Sequence, residues 1–478
     1  MTDSHTPAAD IAEVLRAALG PDAVLSGDDL HGRSAGIWGP PRTIEAQLLV
    51  RPRDTEGVSR ALAICHQRGQ SVVVHGGLTG VVDGAWSEAG DVVLSLEALT
   101  GVEAVDPLGA TMRVRAGTTL QAVQEAAAEY SLMFPLDLGA RGTATIGGNA
   151  ATNAGGNRVI RYGMMRSLVL GLEAVLADGT VLSSLSHMLK NNAGYDLKQL
   201  FIGTEGTLGV VTRLVLRLVA QPASRETALV AVTDFQAVCR LLGYIDERLG
   251  GTLSAYEVMW PDYYAYINAA LDAERPGRAV PLTPDDRFFV LIETLGSDPE
   301  RDAERFAGVL GAALNKGSIV DAVIAKSRSE QAALWAIRDD VVKLLDLEPM
   351  FLFDVSMPML QTEAYVEEVR DRLTEAWPRH RLLVFGHLGD GNIHLGISAG
   401  DADGSERAAV EAIVYGPLGR ISGSVSAEHG IGLEKKAYLP WCRTEAEIDV
   451  MRALKNTLDP RGILNPGKVF DPSAEEHR

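Results

Sequence analysis

Residues 135–163 read PLDLGARGTATIGGNAATNAGGNRVIRYG, and this stretch decides the fold more than any other part of the chain. A flexible Gly/Ser linker is a poor match, because Asn, Arg and Tyr are interleaved among the small residues. We interpret it as a series of tight turns in which the backbone approaches a ligand closely. Small residues would let a planar ring lie against the backbone, and Thr152 and Asn153 would offer hydrogen bonds to ring or ribose atoms.

Two other glycine-rich loops flank this stretch. Residues 75–80 (HGGLTG) follow a predicted strand at 71–75, and the loop closes at Gly84 and Ala85. Successive backbone N–H groups in such a loop can bind phosphate oxygens. The loop is neither a strand–GxGxxG–helix fingerprint nor a P-loop, so a ligand-free turn stays equally open. Residues 203–210 (GTEGTLGV) form the other loop and lead into a strand.

Strands and helices alternate at short intervals, which predicts an α+β protein. A break near Gln221-Pro222 predicts a domain boundary. We expect a first domain at 1–221, a second α+β domain at 222–444, and a C-terminal segment at 445–478 that returns to the first. The predicted elements include helices at 55–69, 302–315, 329–345 and 362–377, and strands at 46–51, 91–95, 111–115, 168–176, 209–219, 288–295 and 381–388.

Composition excludes several classes of protein. The 478 residues carry 44 basic and 63 acidic side chains, and the resulting net charge of −19 disfavours nucleic acid and anionic lipid. The three cysteines are far apart and predict neither a disulfide framework nor a thiolate metal site. The N-terminus does not resemble a secretory signal, and no apolar run is long enough to span a membrane. We therefore expect a cytoplasmic protein.

Histidines cluster in two glycine-bounded motifs. Residues 385–397 read FGHLGDGNIHLGI, where a Gly-Asp-Gly turn separates His387 from His394; Glu428 and His429 lie in SAEHGIG. A hairpin would bring both imidazoles to one end of two strands. Two imidazoles and a carboxylate suit a borderline divalent cation. The spacing alone leaves a structural alternative open, in which the histidines bond turn carbonyls and Glu428 caps a helix.

Together these motifs resemble the D-2-hydroxyglutarate and D-lactate dehydrogenase branch of the FAD-linked vanillyl-alcohol oxidase superfamily. The resemblance extends over about residues 40–470 and rests on the stretches already quoted and on LEAVLADGTVL, NNAGYDLKQLFIGTEGTLGVVT, SAEHGIGLEKK and NPGKVF. It implies a two-subdomain FAD-binding domain and an α+β substrate domain. In relatives with covalent flavin, a linking His often follows the paired glycines; here His75 precedes them, so we expect non-covalent FAD.

The resemblance also implies which residues hold the cofactor. Pyrophosphate contacts fall in the first loop, and other contacts fall near the rest of FAD and its adenine end. The implied residues are Gly76, Gly77, Leu78, Thr79, Gly80, Gly84, Ala85, Pro135, Leu138, Gly139, Thr143, Ile146, Gly147, Gly148, Thr152, Asn153, Gly155, Gly156, Tyr162, Gly163, Glu205, Gly206, Gly209, Val210 and Asn465.

The same resemblance makes His387, His394 and Glu428 ligands of Zn²⁺ or Mn²⁺. A cation bound by a substrate's hydroxyl and carboxylate oxygens lowers the hydroxyl pKa, and His429 is the expected base. Arg338, in a W-A-x-R motif, is the expected carboxylate clamp, with a solvated surface Arg as the alternative. Asn465 and Lys468 are expected near the flavin or the substrate.

Three departures from the 2-hydroxyglutarate pattern bear on the substrate. Val342 replaces a Thr one helical turn after Arg338, Leu352 replaces a Lys ahead of the Asp in the next strand, and Gly396 replaces an Asn two residues after His394. Each change removes a polar contact, and an unpaired second carboxylate is costly to desolvate. We expect a D-2-hydroxy acid with a small or apolar side chain, with D-2-hydroxyglutarate as the alternative.

Other functions stay open. An oxidase would pass electrons to O₂, whereas the branch usually uses quinones, cytochromes or electron-transfer flavoprotein. A non-catalytic FAD-binding subunit would lack the His and Glu ligands that this chain has. A reductase using a nicotinamide cofactor is disfavoured because the dinucleotide fingerprint is absent. The resemblance suggests a homodimer.

Overall fold

The computed structural model describes residues 7–36, 43–285 and 287–471. These residues form two compact units. The described residues of Met1–Gly156, Gly163–Gln221 and Glu428–Arg478 make up the first, and those of Asn157–Tyr162 and Pro222–Ala427 make up the second. The units divide at 221/222, and the second unit ends at Ala427. The domains at 1–221, 222–444 and 445–478 stay predictions.

Hydrogen bonds hold residues 431–433 in the first unit. The backbone N–H groups of Ile431 and Gly432 donate to the carboxylate of Glu205, at 2.7 and 2.8 Å. The N–H of Leu433 donates to the carbonyl of Val82 at 2.9 Å. All these partners belong to the first unit, so the chain has already returned there by residue 431.

The strands of the described residues fall into four sheets. Those of the first unit are β1 (Val24–Ser26), β2 (Leu48–Val50), β3 (Val72–His75), β4 (Val92–Ser95), β5 (Val102–Asp106), β6 (Thr111–Arg115), β7 (Leu132–Met133), β8 (Val169–Val175), β9 (Val181–Ser184), β10 (Val210–Arg217) and β11 (Val219–Ala220). Those of the second are β12 (Ser224–Val232), β13 (Leu253–Met259), β14 (Phe288–Gly296), β15 (Asp321–Ile324), β16 (Met350–Ser356), β17 (Arg381–His387) and β18 (Asn392–Ser398).

The α-helices, in chain order, are α1 (Pro7–Leu19), α2 (Thr55–Arg68), α3 (Leu120–Ala128), α4 (Ile146–Ala151), α5 (Val159–Tyr162), α6 (Met165–Leu168), α7 (Phe235–Leu249), α8 (Pro261–Glu274), α9 (Pro299–Asn315), α10 (Arg328–Asp339), α11 (Thr362–Ala376), α12 (Arg407–Tyr415), α13 (Leu439–Cys442) and α14 (Glu445–Leu458). Short 3₁₀ helices include Val341–Asp346, which follows α10. No described helix is both long and apolar enough to cross a membrane.

The first unit contains two main sheets, in agreement with the predicted two subdomains. One has the order β1-β2-β4-β3, with β2, β4 and β3 parallel. The other is antiparallel, in the order β5-β6-β10-β8-β9. Helix α2 connects β2 to β3; Asp54 caps its N-terminus by accepting from the Gly57 N–H, and Gly69 ends it at φ 63°.

The second unit is built on a seven-stranded antiparallel sheet in the order β15-β12-β14-β13-β17-β18-β16. Helices α8 and α10 contribute to a core that includes Tyr263, Tyr264, Phe289 and Phe385. The rings of Tyr263 and Phe385 stack with centroids 4.3 Å apart. This packing fixes α10 and the β17–β18 hairpin on one framework, which is where the predicted catalytic motifs lie.

Two predicted elements differ from the structure. Residues 135–163 are not turns throughout, because Thr145 accepts a hydrogen bond from the Gly148 N–H and so starts the short helix α4. The predicted helix 329–345 stops as an α-helix at Asp339, and the chain continues as the 3₁₀ segment Val341–Asp346.

Candidate active site

The loop after β3 packs on the residues that precede α4. A Cβ on Gly77 would lie 2.1 Å from the Thr143 carbonyl oxygen and 2.9 Å from the Ala144 Cα, so no side chain fits there. The His75 Nε2 lies 2.8 Å from the carbonyl oxygen of Ala85, which closes the loop where the sequence predicts. Burial lowers the pKa of His75 to about 4, so the neutral ring donates from Nε2.

This loop has the donors that a phosphate needs. Within the described part of the chain, the N–H groups of Gly76, Gly77 and Gly80 donate no hydrogen bond. Leu78 adopts a positive φ of 57°, a conformation that L residues hold only under local constraint. Within α4, the Asn149 Nδ2 is buried and has no hydrogen-bond partner among the described residues. Free backbone donors and an unpaired amide fit a phosphate-bearing cofactor such as FAD.

Four predicted cofactor contacts in or directly after α4 have hydrogen-bond partners within the protein. The Gly147 N–H donates to the Ala116 carbonyl at 2.7 Å, and the Thr152 hydroxyl donates to the Gly148 carbonyl at 3.1 Å. The Asn153 Oδ1 accepts from the Arg166 N–H. The predicted cofactor contacts at Gly147, Gly148, Thr152 and Asn153 therefore stay predictions, and the structure gives each of them a partner within the protein.

The other predicted flavin contacts are distributed between the two units. Tyr162 belongs to the second unit, in α5. The first unit contains Thr79, Gly84, Pro135, Leu138, Gly139, Ile146, Gly155, Gly156 and Gly163. At Gly156 (φ 133°), an added Cβ would lie 1.9 Å from the Asp137 carbonyl oxygen, so close backbone packing explains this glycine without a ligand.

The glycine-rich loop at 203–210 is held by packing. A Cβ on Gly206 would lie 2.8 Å from the Asn465 Nδ2, and one on Gly209 would lie 2.8 Å from the Phe201 ring. Val210 begins β10 and is buried. These glycines are required by the fold, and their predicted contacts with the adenine end of FAD stay predictions.

Glu205 and the two C-terminal residues also have structural partners. The buried Glu205 carboxylate accepts two backbone N–H groups, although burial still raises its pKa. Asn465 accepts from the Val74 N–H at 2.9 Å and donates to the Glu205 carbonyl. The Lys468 ammonium donates to the Trp86 carbonyl at 2.8 Å, and burial lowers its pKa. Asn465 and Lys468 thus tie the chain end to the first unit, and their predicted contacts with the flavin or the substrate stay predictions.

The β17–β18 hairpin brings the two predicted metal ligands together. His387 ends β17 and His394 lies in β18, with ring centroids 5.3 Å apart. One ligand atom each of His387, His394 and Glu428 lie within 4.8 Å of one another. Three such atoms, two imidazole nitrogens and a carboxylate oxygen, fit a Zn²⁺- or Mn²⁺-type cation. Partly exposed His429 follows Glu428 directly.

The position of Glu428 follows from the chain that precedes it. Ser424 forms an antiparallel bridge with Ser356 at the end of β16. The N–H of Ala427 donates to the Asp354 Oδ2 at 2.9 Å, and Asp354 is fully buried. Glu428 is the next residue, so its backbone is held at the end of β16 by local hydrogen bonds.

A buried carboxylate, Glu257, connects the hairpin to Arg338. Its Oε1 lies 2.8 Å from the His387 Nδ1, and its Oε2 accepts from the Arg338 Nε at 2.7 Å. Burial alone would raise the pKa of Glu257, but the charges of His387 and Arg338 outweigh it and lower that pKa. A carboxylate on the far nitrogen of a ligating imidazole orients the ring, as is typical of metal sites.

Arg338 is not the solvated surface side chain of the alternative interpretation, because only 4% of it is exposed. One Nη lies 3.2 Å from the His387 Nε2, and the guanidinium carbon lies 4.8 Å from the Phe385 ring centroid. Its place beside the hairpin fits a group that meets a substrate there, although Glu257 already occupies its Nε.

The three residues that differ from the 2-hydroxyglutarate pattern do not lie together. Leu352 and Gly396 are directly paired across β16 and β18, and a Cβ on Gly396 would lie 3.7 Å from the Leu352 Cδ2. Val342 lies beyond the end of α10, so it is not one α-helical turn after Arg338, and 53% of it is exposed. Leu352 and Gly396 are therefore neighbours while Val342 lies apart from the helix that carries Arg338, and the predicted substrate contacts of Val342 and Leu352 stay predictions.

Glu257 and Asp354 also belong to the site, although no sequence motif predicted them. Neither residue lies in a glycine-bounded motif. Both are carboxylates inside strands whose neighbours are buried, LSAYEVM and MFLFDVS. A charged residue in such a run is rarely buried unless it is paired, and that pattern was the available indication.

Comparison with solved structures identifies the fold. The chain matches p-cresol methylhydroxylase with a TM-score of 0.76 and 16% identity, covering 97% of each chain. It matches the 4-ethylphenol oxidase of Gulosibacter chungangensis with a TM-score of 0.74 and 17% identity, covering 99% of each chain. The fold is therefore that of FAD proteins of the vanillyl-alcohol oxidase type.

Family models and relatives narrow this class. Residues 46–184 match a FAD binding domain, and residues 221–469 match the C-terminal domain of FAD linked oxidases. The mitochondrial D-2-hydroxyglutarate dehydrogenase of Bos taurus is 37% identical over 472 residues, covering 95% of this chain and 85% of the relative. A putative mitochondrial D-lactate dehydrogenase of Schizosaccharomyces pombe is 36% identical, covering 89% and 82%. The chain belongs to the FAD-linked oxidases, in the branch of the FAD-dependent D-2-hydroxy acid dehydrogenases.

Proposed function

We propose that this protein oxidises a D-2-hydroxy acid with a small or apolar side chain to the 2-oxo acid, with FAD as the hydride acceptor. The observation that carries the substrate preference is the Leu352–Gly396 pair. It lies on the same strand face as His394, one same-face position along β18, which is about 7 Å away. A side chain of the substrate that points there would meet Leu352 and a glycine, neither of which can form an ion pair or a side-chain hydrogen bond with a second carboxylate.

Different side chains would bind the cation, bind the substrate and remove the proton. His387, His394 and Glu428 would hold a divalent cation, which when bound lowers the pKa of the substrate hydroxyl. Glu257 keeps the His387 ring oriented by accepting from its Nδ1. Arg338 would bind the substrate carboxylate with the Nη groups that Glu257 leaves available. His429 would take the hydroxyl proton.

D-2-hydroxyglutarate is the second candidate substrate, because several relatives carry that name. One from Xanthomonas citri pv. viticola is 35% identical and covers 88% of each chain. In that case a cationic side chain elsewhere would have to meet the distal carboxylate, because Leu352 is apolar. The side chain of Leu352 is 46% exposed.

The decisive test is anaerobic bleaching of the flavin by a panel of D- and L-2-hydroxy acids. Rapid bleaching by D-lactate or a larger apolar D-acid, with little by D-2-hydroxyglutarate, is the expected result. The double variant Leu352→Lys/Gly396→Asn should shift the preference towards D-2-hydroxyglutarate by about tenfold to hundredfold, because a charge-assisted hydrogen bond is worth about 1.5–3 kcal/mol. Preferential bleaching of the wild type by D-2-hydroxyglutarate would refute the pocket proposal, and no bleaching by any acid would refute the substrate class.

The base role has its own test. His429→Ala should abolish flavin reduction by the acid while FAD and the metal stay bound. Retained reduction rates would remove His429 from this role. Sodium dithionite, which reduces flavin directly, provides the control that the cofactor is still competent.

The remaining parts of the proposal concern partners. The electron acceptor would be a quinone, a cytochrome or electron-transfer flavoprotein, and hydrogen peroxide formed at the turnover rate would instead indicate an oxidase. FAD would be non-covalent, since the His75 Nε2 is engaged with the Ala85 carbonyl; a yellow pellet after acid precipitation would contradict this. A cytoplasmic homodimer completes the proposal.

A further inference from the structure

Asn392 is a buried amide beside the predicted metal ligands that no part of the mechanism above uses. Only 3% of it is exposed. Neither its Nδ2 nor its Oδ1 has a hydrogen-bond partner among the described residues. A buried amide without partners costs about 1–3 kcal/mol for each lost interaction, so a fold retains one only where something offsets that cost.

Strand register places Asn392 on the same face as both histidines. It is the cross-strand partner of His387, and it precedes His394 by two residues on β18. Directly paired side chains on one face have Cβ atoms about 5 Å apart, and alternate residues of a strand share a face. The amide therefore lies on the ligand-bearing face of the hairpin.

The turn fixes this position independently of the amide. The Asn392 backbone N–H donates to the Asp390 Oδ1 at 3.1 Å, and Gly391 adopts φ 83°. The Met357 N–H donates to the Gly391 carbonyl at 3.2 Å. These contacts use backbone groups and the Asp390 side chain, so the geometry of the turn does not account for the side chain of Asn392.

We infer that the Asn392 amide is a substrate-positioning group that donates from Nδ2 to the carboxylate of the 2-hydroxy acid. The inference rests on the proposed function. The residues along this face of β18 are Asn392, His394 and Gly396. Gly396 has no side chain, so Asn392 is the residue of these three that offers an amide. One N–H donor on a carboxylate oxygen complements Arg338, whose guanidinium nitrogen lies 3.2 Å from the His387 Nε2.

The test uses Asn392→Leu, which keeps a similar shape and removes both polar atoms. Binding of propionate to the oxidised, metal-replete holoenzyme is followed by the change in flavin absorbance, with neutral propionamide as the comparison. We expect propionate binding to weaken about tenfold to hundredfold, and propionamide binding to weaken less, because hydrogen bonds to a charged acceptor are about twice as strong. Metal content should stay unchanged, and the urea midpoint should not fall, because an unpaired buried amide is replaced by an apolar group.

Asn315→Leu, at the exposed end of α9, is the matched control for the same exchange. Unchanged propionate affinity in Asn392→Leu would overturn the inference, as would a lower urea midpoint with equal losses for propionate and propionamide. If Asn392→Leu does not retain FAD, Asn392→Ser carries the same titration. The titration needs no turnover: a wild type that no acid bleaches refutes the proposed function, while propionate binding still decides the role of Asn392.

Discussion

Glu257 joins His387 and Arg338 in the second unit. It accepts from both His387 and Arg338 and is 1% exposed. Glu257→Gln keeps the volume but removes the negative charge, which leaves the Arg338 guanidinium buried without its counter-ion. We expect a loss of about 3–5 kcal/mol in the free energy of unfolding, measured by urea denaturation.

The matched control for that variant is Glu247→Gln. Glu247 pairs with Arg248 at 3.0 Å in the same unit, but its side chain is 74% exposed. Removing an exposed pair should cost less than about 1 kcal/mol. Equal losses in the two variants would show that burial does not strengthen the dependence of Arg338 on Glu257.

His75 should make the first unit sensitive to acid. Its pKa is lowered from 6.5 to about 4 in the folded chain by burial, so the unfolded chain takes up the proton first. The stabilisation is complete above pH 6.5 and is lost as the pH falls towards about 4, by about 3 kcal/mol in total. His75→Gln, which retains a donor for Ala85, should flatten the urea midpoint over this window. A difference between wild type and variant that does not change with pH would contradict the assignment.

Helices were predictable where the apolar periodicity of the sequence ended at capping residues. Helix α2 matches its prediction within one residue, because Asp54 and Gly69 mark its two ends. Helix α10 was predicted too long, since Val341–Asp346 continues the apolar pattern while the hydrogen bonds change to 3₁₀. Helix α4 was missed because two of its six residues are glycines, and only tertiary packing stabilises it.

The loop after β3 offers a way to separate packing from cofactor binding. Gly77→Ala should unfold at lower temperature even without FAD, because its Cβ would overlap the Thr143 carbonyl. Gly80→Ala has no atom within 4 Å of the added Cβ, so the stability of the FAD-free protein should be unchanged. If the loop binds pyrophosphate through its N–H groups, Gly80→Ala should still weaken FAD binding, measured by fluorescence titration. Unchanged FAD affinity would place the pyrophosphate elsewhere.

At the scale of the whole molecule, local motifs do not predict contacts between residues that are distant in sequence. The paired glycines, the two histidines and Glu428 were all identified from sequence, because each motif is local. The segment Asn157–Tyr162 belongs to the second unit although both its neighbours belong to the first. The Arg158 Nε lies 3.4 Å from the buried Glu293 carboxylate, and Arg161 donates to the Thr252 and Leu295 carbonyls. Such partners are distant in sequence, so no local pattern could reveal them.

Metal removal should separate FAD binding from oxidation of the acid. Exhaustive dialysis against a chelator should leave FAD bound, because the glycine loops contain none of the predicted metal ligands. D-2-hydroxy acids should then fail to bleach the flavin, whereas dithionite should still reduce it. Zn²⁺ or Mn²⁺ should restore bleaching and Mg²⁺ should not, because two of the three ligands are imidazole nitrogens.

The same treatment should also change stability. A metal that is present at about 100 times its Kd stabilises the folded chain by about 2.7 kcal/mol, so the chelated protein should unfold at lower urea. His394→Ala provides the comparison, because it removes one ligand and should respond little to the chelator. If the chelated wild type keeps both its urea midpoint and its reduction by acid, then His387, His394 and Glu428 form a structural cluster, and proton removal must be explained without a cation.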